Sequence, residues 1–76
     1  MIDDNELKKS NFIKAKYFYD NKISVHLMKT DREWFNGFIV EFSNDFFIID
    51  DRKYGRRMVF FIELWSIEEM IEEDNK

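Results

Sequence analysis

The spacing of apolar residues changes once along the chain, from a helical period to a period of two. Residues 3–19 carry apolar side chains three and four positions apart, which predicts a helix with one broad apolar face. Asp3 and Asp4 favour its start, because carboxylates are stabilised at the positive end of the helix dipole and can cap it. Asp20 and Asn21 are turn formers that end it. We therefore expect this helix to pack against the rest of the chain.

Four strands follow, each indicated by alternating or continuous apolar residues between turn-forming residues. The second strand has Gly37 in its interior, which is typical of a sharp bend or a close approach of two backbones. The third and fourth strands are apolar at consecutive positions, so we expect both faces of each to be covered. The strands are predicted at residues 22–27, 34–42, 46–50 and 56–62.

The segment after the fourth strand is compatible with two structures. Ser66–Glu69 fits a capping box, and Trp65 could pack on Met70, which would start a short helix. The same residues also alternate as a fifth strand. We favour the strand, because a four-stranded meander leaves its edge open and a fifth strand would help to close a barrel. Residues 72–76 are predicted to fray.

These elements predict one mostly β domain over residues 1–76. An N-terminal α-helix precedes a strongly bent five-stranded antiparallel sheet, which forms a small barrel over residues 22–71. A chain of 76 residues buries only about 60% of the surface that it exposes when unfolded. Cysteine is absent, yet 18% of the residues are aromatic. Because such a domain can gain stability by joining its apolar edges to another copy, we expect it to form oligomers.

The charge of the chain limits the partners that we expect. A net charge of -4 argues against a protein that coats nucleic acid non-specifically, since that binding needs a positive surface. Four cationic side chains nevertheless surround Tyr54 and could contact phosphates beside a base stacked on its ring. The alternative, which we favour for these residues alone, is a solvated hairpin tip neutralised by Asp50 and Asp51. The cationic residues are Arg52, Lys53, Arg56 and Arg57.

Other function classes have little support in the sequence. The chain has one histidine, His26, no cysteine and no glycine-rich phosphate loop, so we expect neither an enzyme nor a metal or cofactor site. Its first residues do not form a basic region followed by an apolar stretch, and no apolar run approaches the ~20 residues of a membrane span. We therefore expect a cytoplasmic protein without a membrane partner.

One stretch combines a bent strand, a polar loop and an apolar strand at a definite spacing. Phe35 lies two residues before Gly37, and Ile39 lies two residues after it. A polar loop at 43–45 and an apolar strand at 46–49 follow. This stretch resembles the first motif of the Sm-like (LSm/Hfq-type) family. The later run "MVFFIELWSI" is similar to the part of that family in which strand four turns into strand five.

The resemblance, which extends from residue 23 to about residue 71, implies a definite assembly. In the Sm-like family, strand four of one subunit pairs with strand five of the next, and six or seven subunits close a ring. The resemblance therefore implies a homo-oligomer, a hexamer or heptamer, with its interface on the fourth and fifth strands. The matching interface residues are Val59, Phe60, Phe61, Ile62, Trp65 and Ile67.

The resemblance also implies an RNA-binding loop, but several of its residues differ here. The family places an Asp, a stacking residue and a base-reading Asn where this chain has Ser43, Phe46 and Phe47. Phe46 is suited to stack on a base, and Asn44 lies in the same loop. The cation of the family's second motif is replaced by Glu63.

Three functional hypotheses follow from the sequence. The first is an Sm-like ring that binds RNA through Phe46, Asn44 and the cationic residues around Tyr54. The second is a protein-interaction or scaffolding module with the same oligomeric architecture and no RNA binding; the acidic balance and the altered loop favour it. The third is an unrelated SH3-like barrel that acts as a monomer, which requires Phe60 and Phe61 to be covered within one subunit.

Overall fold

The computed structural model describes residues 4–71, which form one α-helix followed by a five-stranded antiparallel sheet. This arrangement confirms the predicted fold class. The chain ends, on which the predicted fraying at 72–76 falls, lie outside the described residues. The elements are α1 (Asp4–Asp20), β1 (Val25–Lys29), β2 (Trp34–Phe42), β3 (Phe46–Asp51), β4 (Gly55–Phe60), a 3-10 turn (Phe61–Glu63) and β5 (Leu64–Glu69).

Several strand boundaries differ from the prediction by one to three residues. β1 begins at Val25 rather than residue 22, since the Ile23 N–H donates back to the helix, to the carbonyl of Phe18 at 2.9 Å. β4 ends at Phe60 rather than residue 62, because the chain turns there: Phe61–Glu63 form the 3-10 turn, and Glu63 Oε2 accepts the Phe60 N–H at 3.0 Å. The segment after the 3-10 turn is a strand, as favoured, and not the alternative helix.

The five strands form an open sheet in the order β4-β3-β2-β1-β5. The fifth strand was expected to help to close a barrel. It pairs with β1 in an antiparallel ladder from Leu64 to Glu69. The 3-10 turn thus carries the chain from one edge of the sheet to the other. Among the described residues, β4 and β5 each have a strand neighbour on one side only.

The strong bend of the sheet is centred on β2. Gly37 lies opposite Asp51 of β3 and Val25 of β1. A Cβ atom at this position would overlap the backbone carbonyl oxygen of Asp50. Glycine is therefore required here by the close approach of the two strands. A register shift between Ile39 and residue 41 adds to the curvature.

The core lies between the inner face of the bent sheet and α1. Rings of α1, β2 and the 3-10 turn meet there: the centroid of Phe12 is 5.3 Å from that of Phe42 and 5.1 Å from that of Phe61. The aromatic runs on both sides of the loop at 43–45 thus supply the core with large side chains. The fully or almost fully buried apolar residues are Ala15, Phe18, Val25, Leu27, Phe35, Ile39, Phe47, Ile49, Val59, Phe61, Leu64 and Ile67.

The outer face of the sheet is partly open to solvent. The fourth strand was expected to be covered by the core on one face and by a subunit interface on the other; within a single chain, Met58 and Phe60 are 47% and 42% exposed. Their side chains alternate with Val59, which is fully buried. Among residues 4–71, no strand lies beyond β4, which is the last strand of the sheet.

Candidate functional site

The hairpin between β3 and β4, residues 52–57, is built on one buried carboxylate. Asp51 is 5% exposed. Its Oδ2 atom accepts the backbone N–H groups of Lys53 and Tyr54 at 2.9 and 2.7 Å, and its Oδ1 atom accepts that of Asn36 at 2.8 Å. One side chain therefore fixes the turn and ties it to β2. The sequence predicted instead that Asp51 would neutralise the cations at the surface.

These contacts set the ionisation of Asp51. Burial on its own raises the pKa of a carboxyl group, because it disfavours the charged form. Here three backbone N–H donors and the nearby Arg57 guanidinium stabilise the carboxylate more strongly, so the pKa of Asp51 is lowered from its usual value. The group is charged at neutral pH, and its charge is directed into the turn.

The tip of the hairpin presents an aromatic ring between two cations. The Tyr54 ring is half exposed. Lys53 Nζ lies 5.3 Å from its centroid, and Arg57 Cζ lies 5.6 Å from it. Cations held beside an exposed ring can contact a phosphate while a base stacks on the ring. Three residues of the predicted site, 53, 54 and 57, are thus brought close together, whereas Arg56 lies on the opposite face of β4.

The charge of this hairpin is balanced only in part. Arg56 lies opposite Asp50 in the β3–β4 ladder, and its Nη1 atom is 3.8 Å from Glu41 Oε2. Both side chains of that pair are largely exposed, so their interaction is weak. The backbone N–H of Arg52 donates to the carbonyl of Asn36 at 2.8 Å, which extends the link between the turn and β2.

The other predicted RNA contacts, Asn44 and Phe46, lie at the opposite end of β3. Phe46 and Asp51 are five positions apart, which is roughly 17 Å in an extended strand. Asn44 is exposed in the loop, and the Phe46 ring packs on Phe60 with a centroid distance of 5.6 Å. The structure therefore divides the predicted RNA site into two separate surfaces.

The loop next to Phe46 is acidic where the Sm-like motif would have a cation. Glu63 Oε2 accepts the Phe60 N–H at 3.0 Å, and Glu63 Oε1 lies 3.4 Å from Lys29 Nζ. Lys29 also faces Asp31 and Glu33 at 3.8 and 3.2 Å. Burial alone would lower the pKa of this ammonium group, but the three carboxylates outweigh it and raise the pKa. The Lys29 ammonium group next to Glu63 is therefore already paired with three carboxylates.

The predicted interface residues divide by exposure. Val59, Phe61 and Ile67 are buried in the core of the subunit, so their side chains are not available to a partner. Phe60, Ile62 and Trp65 are exposed. On the edge strand β5, Ile67 nevertheless turns its backbone groups away from β1, where they can pair with another strand. The backbone groups of Val59 face β3 instead.

A cleft on the outer face of the sheet was not predicted from the sequence. Trp34 and Trp65 line it and are 49% and 53% exposed, with Met28 between their strands. The His26 ring stacks on Trp34 at a centroid distance of 4.3 Å, and its Nδ1 atom contacts Asn36 Oδ1. Nothing in the sequence indicated that Trp65 would lie near Trp34.

No family model matches this chain. No curated protein sequence matches it either. Within residues 4–71, no group of three or more His, Cys, Asp or Glu side chains is placed to hold a metal ion. No helix among the described residues is both long and apolar enough to cross a membrane. The features that bear on function are therefore the two edge strands, the hairpin at 52–57 and the cleft.

Proposed function

We propose that the chain is a subunit of an Sm-like homo-oligomeric ring, a hexamer or heptamer, that binds RNA. The main support is the pair of free edge strands. β4 and β5 are each six residues long, and each has exposed large apolar side chains, Met58 and Phe60 on one and Trp65 on the other. An unpaired strand with such side chains is a template for pairing with another chain.

The monomeric SH3-like alternative has less support. It requires both Phe60 and Phe61 to be covered within one subunit. Phe61 is buried, whereas Phe60 remains 42% exposed. A second copy joined to β4 would remove this ring from water, which favours an assembly over a solitary barrel.

The RNA part of the proposal is supported by the hairpin at 52–57. Its exposed Tyr54 ring lies beside Lys53 and Arg57, a combination suited to stacking of a base next to a phosphate. A ring would repeat this cationic hairpin six or seven times, so that its field adds around the assembly in spite of the acidic balance of the chain.

A second candidate function is a scaffold of the same architecture that binds proteins and not RNA. It is favoured by Glu63, which occupies the position of the family's cation and accepts a hydrogen bond from the Phe60 N–H at 3.0 Å. A carboxylate at this position would repel a phosphate.

Native mass spectrometry of the untagged protein, purified without nuclease, tests the assembly. We expect six or seven times the subunit mass, with added mass from retained RNA. A clean monomer at micromolar concentration would contradict the ring. A bare oligomer without RNA would support the scaffold.

A salt titration of binding to single-stranded RNA separates the two candidates. Binding of wild type should weaken with salt, and Arg56→Ala/Arg57→Ala should reduce the log–log slope by about 0.7 for each lost phosphate contact. Lys8→Ala/Lys9→Ala is the matched control, because it removes the same charge from exposed positions of α1. Absence of binding at low salt would exclude the RNA function, and an equal loss in both variants would show that the hairpin is not the site.

A further inference from the structure

We propose that the cleft on the outer face of the sheet binds a small aromatic carboxylate. The ring of this ligand lies against Trp34 and Trp65, and its carboxylate meets the Arg32 guanidinium. The cleft is formed by residues of a single copy, so the binding site goes beyond the proposed ring and does not rest on it. Three observations support it: the two exposed indoles, the charges that line the cleft and the backbone conformation of Arg32.

Trp65 lines the cleft because β5 contains a bulge. Ser66 lies opposite Met28, and Leu64 lies opposite Lys29, so Trp65 has no partner residue in β1. A bulge of this kind turns a side chain away from the regular alternation of a strand. The Trp65 side chain is 53% exposed as a result and is available to a ligand.

The second indole, that of Trp34, is held in place by a neighbouring ring. His26 stacks on it at a centroid distance of 4.3 Å, which leaves the other face of the indole for a ligand. The cleft that the two indoles share has a volume of about 530 Å³, which is in the range of sites for small molecules. An aromatic ligand can make offset or edge-to-face contacts with these rings.

Among residues 4–71, the charged residues that line the cleft are both cations, Lys29 and Arg32. An anionic ligand is therefore complementary to its walls. Lys29 is in contact with three carboxylates that do not themselves line the cleft, those of Asp31, Glu33 and Glu63. Because these carboxylates repel each negative charge of a ligand, a singly charged group is more favourable here than a doubly charged one. A carboxylate fits this balance better than a phosphate monoester.

The two cations differ in what they can offer a ligand. The Lys29 side chain is 13% exposed and is already held by carboxylates. Arg32 is exposed, and the acids on either side of it in the chain, Asp31 and Glu33, pair with Lys29 instead. The planar guanidinium of Arg32 can therefore present two parallel N–H donors to one carboxylate.

The backbone conformation of Arg32 also points to a function of its side chain. Its φ is +71°, in the left-handed region that glycine adopts readily and other residues disfavour. The surrounding turn fixes this conformation: the Arg32 N–H donates to the Lys29 carbonyl at 2.9 Å, and the Glu33 N–H donates to Asp31 Oδ1 at 3.0 Å. An unfavourable conformation that is retained beside a cleft is typical of a residue with a binding role.

Titrations with three ligands that share one ring system test the class of ligand. In mildly alkaline buffer, naphthylacetate carries a single negative charge, naphthylacetamide is neutral and naphthyl phosphate is doubly charged. The chain has two tryptophans, so the two indole N–H signals in the NMR spectrum of isotopically labelled protein report contact with the cleft. We expect naphthylacetate to shift both signals. It should bind about tenfold more tightly than the amide, as for a hydrogen bond to a charged group, and more tightly than the phosphate.

Arg32→Gly and Lys22→Gly are a matched pair of variants. Each replaces a cation of positive φ, +71° and +55°, with glycine, and Lys22 does not line the cleft. Neither variant should unfold at a lower urea concentration than wild type, since glycine suits both conformations. Arg32→Gly should lose the preference for the acid over the amide, and Lys22→Gly should keep it. Loss of the preference in both variants, or in neither, would overturn the role of Arg32.

The contact with the ligand ring is tested by Trp65→Ala. This variant should bind the acid and the amide alike about fivefold more weakly, because both ligands share the ring. Tyr54→Ala, at the exposed ring of the hairpin, is the control and should bind both as wild type does; an equal loss there would place the ligand elsewhere.

Three results with the wild-type protein would contradict the proposal. Indole signals that do not shift at millimolar ligand would overturn the site. Equal binding of the acid and the amide would overturn the selection of a carboxylate, and tighter binding of the phosphate would overturn the assigned class of ligand. Each of these results can be obtained whether or not the chain forms a ring or binds RNA, so a failure of this proposal is distinct from a failure of the proposed function.

Discussion

At Gly37 the backbones of β2 and β3 approach so closely that no side chain fits between them. We predict that Gly37→Ala lowers the free energy of unfolding by about 3 kcal/mol, because the added methyl group must displace the Asp50 carbonyl. Gly55→Ala is the control. No atom lies within 4 Å of its added Cβ, and only its φ of +80° is unfavourable, so about 1 kcal/mol is expected.

Urea denaturation followed by circular dichroism measures both variants under the same conditions. The comparison separates steric overlap from backbone conformation. An added Cβ overlaps other atoms only at Gly37, whereas φ is positive at both glycines. Equal losses of stability in the two variants would contradict the close approach at Gly37.

The Asp51 carboxylate makes stability depend on pH in the acid range. Its folded pKa is lowered from the usual 3.8, so the folded state binds its proton less readily than the unfolded state. The stability it contributes is therefore present above about pH 4 and is lost as the pH falls through the folded pKa. In Asp51→Asn, an amide N–H₂ must face backbone N–H donors, which should cost about 2 kcal/mol at pH 7.

Denaturant titrations of wild type and Asp51→Asn at pH 7 and at about pH 2.5 give the test. The difference in unfolding free energy between them should be large at pH 7 and should shrink in acid, because the carboxyl group of the unfolded chain binds a proton at a higher pH than that of the folded chain. Asp50→Asn, on the neighbouring exposed position, is the control. A difference that is independent of pH would show that the charge of Asp51 does not stabilise the turn.

At the scale of elements, α1 is tied to the start of β5 by Asn11. This side chain is buried, and its Nδ2 atom donates to the carbonyls of Leu64 and Trp65 at 3.2 and 3.4 Å. Asn11→Ala leaves both carbonyls without this donor, so we predict a loss of about 1–3 kcal/mol. Asn21→Ala, which removes an exposed bond to the Tyr17 carbonyl, should cost less than about 0.5 kcal/mol.

Hydrogen exchange distinguishes a local effect of Asn11→Ala from a global one. Amide protons of β5 should exchange faster than those of β3 in the variant, because the lost bonds hold the edge strand and not the centre of the sheet. A uniform increase over all strands would indicate that Asn11 stabilises the whole domain equally.

Most of the elements could be predicted from local pattern, since each depends on residues close in sequence. β2 was predicted from Trp34 to Phe42 as observed, because alternation and the interior Gly37 are both local signals. The end of β4 at Phe60 depends instead on the 3-10 turn Phe61–Glu63, whose Glu63 carbonyl accepts the N–H of Thr30, thirty-three positions earlier. Contacts of that kind have no periodic signal.

Less of the candidate site could be predicted, because several of its features depend on contacts between residues that are distant in sequence. The cluster around Tyr54 was found because its members are adjacent in sequence. The burial of Asp51 depends on Asn36, which comes from β2, and the cleft depends on Trp34 and Trp65, thirty-one positions apart. Pairing of strands that are distant in sequence creates these features, and a single sequence does not show which strands will be neighbours.

At the scale of the whole molecule, the sheet has two unlike ends. β4 ends the sheet at one side and β5 at the other, so a contact between them is head-to-tail rather than two-fold symmetric. Head-to-tail contacts close into rings only when the rotation per subunit divides a full turn, and otherwise continue as filaments. The bend at Gly37 helps to set the angle between the two edges and hence whether closure occurs.

Because the two edge strands differ, a variant copy would affect assemblies in which it is mixed with normal copies. A copy damaged only at β4 retains an intact β5, so it can still join one neighbour while offering nothing to the next. In the proposed ring, such a copy would act as a chain terminator, and a small fraction of it would prevent many rings from closing. Variants at either edge are then expected to be dominant over the normal protein, whereas variants in the core, which simply fail to fold, would be recessive.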